Sequence, residues 1–132
     1  MHASTPLPSR LAAAAFVPLV VMHSVVTLDL FFNLFPGTEA FRTLWAATFG
    51  TKLLWALASV IGAAAVVLPY RRPWPGLFAS LAFCACLYFA SVHLWGEVKG
   101  GFWLAVAATL LAGLGALRST RPFKPAPLGR TS

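Results

Sequence analysis

Charge is scarce in this 132-residue chain: charged residues make up 10% of the sequence, and only three of them are acidic. Hydrophobic residues make up 59%, and the mean hydropathy of +0.79 lies far outside the range of soluble domains. A bilayer core is roughly 30 Å thick and takes about 20 helical residues to cross. The chain therefore has the length for a few membrane crossings and none to spare for a separate soluble domain.

The sequence also lacks the motifs of soluble-type catalysis. It contains no nucleophile elbow, no glycine-rich phosphate loop, no Cys-x-x-Cys pair and no histidine-rich box of the kind that membrane di-iron enzymes need. Its two cysteines, Cys84 and Cys86, would point to nearly opposite sides of a helix and are interpreted as small apolar fillers. These absences do not favour an enzyme, and we predict no catalytic residue.

Four long apolar runs dominate what is present. They are separated by Pro36-Gly37, by the proline- and arginine-containing segment 69–73, and by Lys99-Gly100-Gly101, all of which interrupt helices or supply interfacial charge. Connections this short favour antiparallel neighbours. We therefore predict an all-α fold, an integral membrane bundle of four transmembrane helices in up-down-up-down order. The expected spans are about 11–35, 42–69, 74–98 and 101–117, within one domain, 11–118, flanked by a short segment 1–10 and a flexible basic tail 119–132.

The ten Lys and Arg residues are distributed unevenly between the two sides of this bundle. Lys52 falls within a span, Arg42 and Lys99 lie on one side, and seven lie on the other: Arg10, Arg71, Arg72, Arg118, Arg121, Lys124 and Arg130. By the positive-inside rule, the side with seven faces the cytoplasm, so both termini are expected there. Because topology explains the net charge of +7, we expect no nucleic-acid partner. We expect a multi-pass protein of the cell inner (plasma) membrane.

Small residues spaced four apart offer faces for close helix packing. In lipid, helices associate through close approach of small residues and through hydrogen bonds. Residues four apart share a helix face, and the chain has three such pairs: Ala46 and Gly50, Ala58 and Gly62, Thr109 and Gly113. They predict tight bundling, either within the chain or against other membrane subunits or a second copy.

Five ionisable residues form a predicted intramembrane polar cluster: Asp29, Lys52, His93, Glu97 and His23. Such groups cost roughly 2.5 to 3.5 kcal/mol on insertion scales and usually mark a pathway, a partner or a cofactor. At about 1.5 Å per residue, Asp29 and His93 lie roughly 8 to 9 Å below the outer boundary, and His23 and Lys52 roughly 17 to 18 Å. The simplest arrangement is an ion pair in which Lys52 extends outward to Asp29 and fixes helix packing.

Cofactor binding is an alternative interpretation of these residues. Haem held between His23 and His93 conflicts with their depth difference of roughly 10 Å, because axial nitrogens lie about 4 Å apart across the iron; one axial histidine would suffice for some haems. A metal site could be built only from His93, Glu97 and Asp29, and we predict none. The cofactor is left unknown, with contact to haem or to a pigment as the alternatives.

Three functions fit these patterns. The first is a non-catalytic accessory or structural subunit of a larger respiratory or photosynthetic membrane complex, which the small size and the abundant aromatic and small residues favour. The second is a small ion or solute transporter in which an Asp, Lys and His set lines a path; four spans rarely enclose a pore alone, so it would require an oligomer. The third is a haem-binding membrane electron carrier.

Overall fold

A computed structural model describes residues 5–32, 34, 49–120 and 129 of the chain. Within these residues the protein is all-helical, with four helices: α1 at Leu7–Phe32, α2 at Phe49–Arg71, α3 at Pro73–Trp95 and α4 at Gly100–Ser119. All four are long and apolar enough to cross a membrane. The turn at Pro36-Gly37, the first part of the second predicted span and most of the basic tail lie outside the described residues.

Helix α1 begins at Leu7, four residues before the start expected from hydropathy. Proline is tolerated in the first turn of a helix, where its missing N–H would be unpaired in any case, so Pro8 does not delay the helix. The backbone N–H groups of Ser9 and Arg10 both bond to the Pro6 carbonyl, at 3.1 and 3.3 Å. Arg10 therefore lies in the first turn of α1 rather than in a segment before it.

The corner between α2 and α3 is a single residue, Arg72. Its backbone is extended, with φ −141° and ψ 99°, because the ring of Pro73 disfavours the helical region for the residue before it. Pro69 is incorporated within α2, so the helix ends at Arg71 rather than at the proline. Gly76 packs against Pro69 so closely that an added Cβ would lie 2.6 Å from the proline nitrogen.

The connection between α3 and α4 spans residues 96–99. Helix α3 ends at Trp95 because Gly96 adopts the left-handed conformation, φ 70°, and its N–H bonds to the Val92 carbonyl at 2.9 Å. A glycine meets this φ without the steric cost that a Cβ would bring. The predicted third span therefore ends three residues early, and Glu97 lies in the connection outside the helix.

The four helices pack in a closed order, with α1 against α2, α2 against α3, α3 against α4, and α4 against α1. Their common core consists of two phenylalanines, Phe16 and Phe83, and three alanines, Ala65, Ala105 and Ala108. The two rings meet edge to face with centroids 5.9 Å apart, a favourable aromatic geometry. Large apolar side chains such as Leu54, Phe89 and Leu110 point outward and are exposed, as expected of a surface that faces lipid.

Candidate functional site: two cavities that share Trp55

His23 lies inside the bundle, where it is 5% exposed. Its Nε2 is 3.0 Å from the Trp55 carbonyl of α2. A carbonyl can only accept, so Nε2 carries the hydrogen of this bond and is committed to it. The imidazole also stacks on the Trp55 ring, with centroids 4.3 Å apart and planes 12° from parallel, and meets the Phe83 ring edge to face at 6.0 Å. His23 thus joins α1 to α2.

A second polar contact joins Thr27 and Ser59, which follow His23 and Trp55 by four residues in their respective helices. Thr27 and Ser59 join their hydroxyls at 2.9 Å. Thr27 also bonds to the His23 carbonyl of its own helix at 2.8 Å, and Ser59 bonds to the Trp55 carbonyl at 3.3 Å. Each hydroxyl holds one hydrogen, so when Thr27 donates to the His23 carbonyl, Ser59 donates to Thr27 and the longer Ser59–Trp55 contact is its alternative. Polar groups of α1 and α2 thus satisfy each other, as a water-free interior requires.

The structure does not form the expected ion pair between Lys52 and Asp29. Asp29 is fully buried, whereas Lys52 is half-buried; a lysine that stays partly exposed avoids the cost of desolvating its ammonium inside the bundle. Among residues 5–32, 34, 49–120 and 129, the ion pair is instead between Lys99 and Glu97, both exposed in the α3–α4 connection. The hydrogen bond from Lys99, together with its charge, lowers the pKa of Glu97.

The predicted cluster is therefore dispersed. In the described part of the chain, no hydrogen bond or ion pair joins any two of its five members. No group of three His, Cys, Asp or Glu side chains in that part could hold a metal ion either, so His93, Glu97 and Asp29 do not converge as the metal alternative required. Each of the five residues must be interpreted in its own surroundings.

His93 lines an open groove on the outer surface of the bundle, between α2 and α3. This α2–α3 groove measures about 470 Å³. Small side chains form much of its floor, and Phe89 and Trp55 border it; the small residues are Ala58, Ala85, Cys86 and Ala90. His93 and Thr51 are the polar residues of this otherwise apolar surface, and His93 is exposed.

His23 lines a different cavity of about 420 Å³, here called the His23 cavity. All four helices contribute to it. Leu19, Met22 and Val26 come from α1, Leu87 from α3 and Phe102 from α4, while Ser91 and the Lys99-Gly100-Gly101 segment supply polar groups and backbone. Trp55 lines both cavities. The two histidines therefore face separate spaces, which removes the arrangement in which both would ligate one haem.

The small residues expected at helix contacts differ in how closely other helices pack against them. Ala58 and Gly62 are buried, and a Cβ on Gly62 would lie 2.8 Å from the Phe83 ring. Thr109 is buried and bonds to the Ala105 carbonyl at 2.7 Å. Gly113 has only Leu77 within 4 Å of an added Cβ, and Gly50 has open space around it. Ala46 lies outside the described residues.

Sequence reasoning did not single out several residues on which these sites depend. Ser91 is 6% exposed within the His23 cavity, and Gly115 lies against Ser9, whose nitrogen would be 2.9 Å from an added Cβ. No spacing in the sequence distinguishes Ser91 from Ser80, because the neighbouring helices decide which serine meets a cavity. The tight pairing of a glycine with a serine 106 positions away also leaves no local signal.

The residues of the two cavities form no recognised motif. Comparison with protein-family models gives no match for this chain, and comparisons with curated proteins and with solved structures give none either.

Proposed function

We propose that this protein is a non-catalytic accessory or structural subunit of a larger membrane complex, respiratory or photosynthetic in kind, and that its α2–α3 groove is the face against which a partner helix packs. One observation carries the proposal: a polar imidazole, His93, lies exposed at a groove of small residues on the lipid-facing surface of α3. A polar side chain that faces lipid is costly unless a neighbour pairs with it.

The shape and composition of the groove support a helix as the partner. Small residues allow two helix backbones to approach closely and gain van der Waals contact, which is the main driving force for association in lipid. Ala58, Ala85 and Ala90 supply such a surface, and His93 offers a hydrogen bond beside it. By contrast, the polar groups of the α1–α2 contact are engaged with each other, which favours packing over a polar path for transport.

The proposal includes the orientation of the bundle. Thr5 bonds to the Tyr70 carbonyl at 3.1 Å and Ser9 approaches Gly115, which supports an up-down-up-down order with Arg10, Arg71 and Arg118 at one end. All three arginines are exposed. The positive-inside rule would place this end, and hence both termini, in the cytoplasm, with the protein in the inner membrane.

The test is a gentle detergent purification from native membranes, with mass spectrometry and an absorbance spectrum on the same sample. We expect larger membrane subunits to co-purify in a fixed ratio. Replacing Ala85 by Leu fills the groove, and we expect it to reduce the co-purified partner at least tenfold, because loss of close packing over one helix turn costs about 1.4 kcal/mol or more.

Ala107→Leu is the matched control, because Ala107 is an exposed alanine on α4, outside the groove, and the same bulk there should leave the partner bound. Equal loss of partner in both variants, or none in either, would contradict the assignment to the groove. A lone oligomer without other subunits would contradict the proposed function and favour the transport alternative. A Soret band would favour the haem alternative.

A further inference from the structure

Beyond the proposed function and independent of it, we infer that the His23 cavity is a binding site for a lipid-soluble quinone or quinol. Its volume of about 420 Å³ falls within the range of 300 to 1,000 Å³ typical of small-molecule sites, which are mostly apolar with a few placed polar groups. The cavity matches that description, because its walls are largely aliphatic and aromatic and its polar groups are few.

Ser91 is the observation that points to a ligand. Its side chain is 94% buried and lines the cavity, and its hydroxyl makes none of the side-chain hydrogen bonds among the residues that the structure describes. The other buried hydroxyls on the same and the next helix behave differently: Ser80 bonds to the Gly76 carbonyl at 2.8 Å, and Thr109 to the Ala105 carbonyl at 2.7 Å. A hydroxyl that lines a largely apolar cavity gains free energy when a bound molecule supplies it with a hydrogen-bond partner.

His23 supplies a second polar atom of opposite character. Because Nε2 holds the hydrogen donated to the Trp55 carbonyl, Nδ1 of the neutral ring is a hydrogen-bond acceptor. No described residue bonds to Nδ1. The cavity therefore offers the Ser91 hydroxyl, which can donate to a carbonyl of a quinone, and His23 Nδ1, which can accept from a hydroxyl of the quinol.

The surroundings favour a flat ring delivered from the lipid. Aromatic side chains of Trp55 and Phe102 line the cavity and can pack against a ring at the offset or edge-on geometries that aromatic groups prefer. An acyl chain could fill the same space but could not bond to either polar atom. The Lys99 side chain at the cavity wall is held by Glu97, so the site does not call for an anionic head group.

Exposed residues at the start of α4 line one side of the cavity. Gly100 and Gly101 line it next to Met22, which is 68% exposed on the outer surface. A Cβ on Gly101 would already lie 3.3 Å from the Leu19 side chain, whereas a Cβ on Gly100 meets nothing within 4 Å. A larger side chain at Gly100 can therefore intrude on the cavity without disturbing the helix packing.

The experiment uses the purified full chain in phosphatidylcholine nanodiscs, titrated with a benzoquinone that carries a decyl chain. Tryptophan fluorescence reports binding, because Trp55 borders the site and quinones quench indoles on contact. We expect saturable quenching in the natural chain. Ser91→Ala should weaken the apparent affinity about five- to tenfold, the effect of one hydrogen bond, and Gly100→Leu should abolish the saturable phase.

Ser80→Ala is the matched control, since it removes a buried serine hydroxyl from the same helix outside the cavity and should leave the affinity unchanged. Thermal melting of each variant separates loss of binding from loss of fold. Quenching that rises linearly with the quinone-to-lipid ratio, as simple partition gives, would overturn the inference. So would saturable quenching of equal affinity in the natural chain, in Ser91→Ala and in Gly100→Leu.

Discussion

The Trp55 carbonyl shows how one residue makes a buried imidazole tolerable in a lipid-embedded bundle. A helix carbonyl has two lone pairs, of which the helix itself uses one, so it can still accept from His23 at 3.0 Å. The indole of the same residue covers the imidazole face. A single neighbour thus supplies Nε2 of His23 with a hydrogen bond and the imidazole face with a stacked ring, without a charged partner.

The sequence could identify His23 as exceptional but not this partner. An ionisable residue in an apolar span is visible in a list of residue types, whereas a backbone carbonyl carries no sequence signal. Lys52 and Asp29 do not form the expected ion pair for a related reason. The sequence indicates how deep each residue lies along its helix, but not how the two helices are rotated relative to each other. Trp55 itself resembles any membrane tryptophan until α1 is placed beside it.

A prediction at the residue scale concerns the exposed pair in the α3–α4 connection. Lys99 lowers the pKa of Glu97 chiefly through its hydrogen bond and also through its charge. Lys99→Gln should return the Glu97 pKa toward its ordinary range, measured by carboxyl-carbon NMR as the pH is varied. Arg118→Gln, a change at the C-terminal end of α4, should leave the Glu97 titration where it is.

The sign of the associated pH dependence follows from that direction. A carboxylate whose pKa is lower in the folded chain than in the unfolded chain contributes stability above its unfolded pKa, and that contribution is lost as the pH falls through the folded pKa. Both side chains are exposed, so the pair contributes little to overall stability. A Glu97 pKa that did not rise in Lys99→Gln would contradict the assigned cause.

At the scale of the helix, the corner between α2 and α3 depends on contact between Pro69 and Gly76. The two residues belong to successive helices, and a Cβ on Gly76 would lie 2.7 Å from the Pro69 Cα as well as 2.6 Å from its nitrogen. Backbone atoms cannot move aside as the end of a side chain can. The corner is therefore set by a proline and a glycine seven residues apart.

We expect Gly76→Ala to destabilise the protein by about 1 to 3 kcal/mol, the usual cost of forcing a methyl group into a packed contact. Unfolding in mixed micelles of mild detergent and dodecyl sulfate, followed by circular dichroism, measures it. Gly50→Ala is the control within α2 and should not destabilise the protein. Its Cβ meets no atom within 4 Å, and alanine favours helix over glycine by about 1 kcal/mol. Equal stability of Gly76→Ala and the natural chain would refute this account of the corner.

Helix positions were more predictable than helix contacts. Four apolar runs predicted four helices, and ends within the described residues differ from expectation by a few residues for local reasons such as the tolerance of Pro8 in a first turn and the left-handed Gly96. Contacts depend on which face of one helix meets which face of another. Gly50 and Gly62 look alike in sequence, yet one is open and the other touches Phe83.

At the scale of the whole molecule, the proposed orientation is testable by labelling. Cys84 and Cys86 are first replaced by Ala, and single cysteines are then introduced by Gly37→Cys, Gly100→Cys or Arg71→Cys. In intact cells, a maleimide that cannot cross the membrane should label the first two and miss the third, because the positive-inside rule assigns the side with seven of the ten Lys and Arg residues to the cytoplasm.

Permeabilised cells provide the control, since all three positions should then react. Gly37 lies outside the described residues, so its labelling tests the sequence prediction alone, while Gly100 and Arg71 test the first residue of α4 and the last residue of α2. If only Arg71→Cys were labelled in intact cells, the bundle would have the orientation opposite to the proposed one.

The closed order of the helices makes assembly of the bundle dependent on its two most distant segments. Three of its four interfaces join helices that are consecutive along the chain, and these can form as soon as each pair has entered the bilayer. The interface of α1 with α4 must wait for synthesis of nearly the whole chain and bears the largest loop-closure entropy. Until then Ser9 lacks Gly115, and the His23 cavity lacks Phe102. The last helix inserted therefore completes both the bundle and the proposed quinone site, so the chain cannot acquire ligand affinity before it is fully folded.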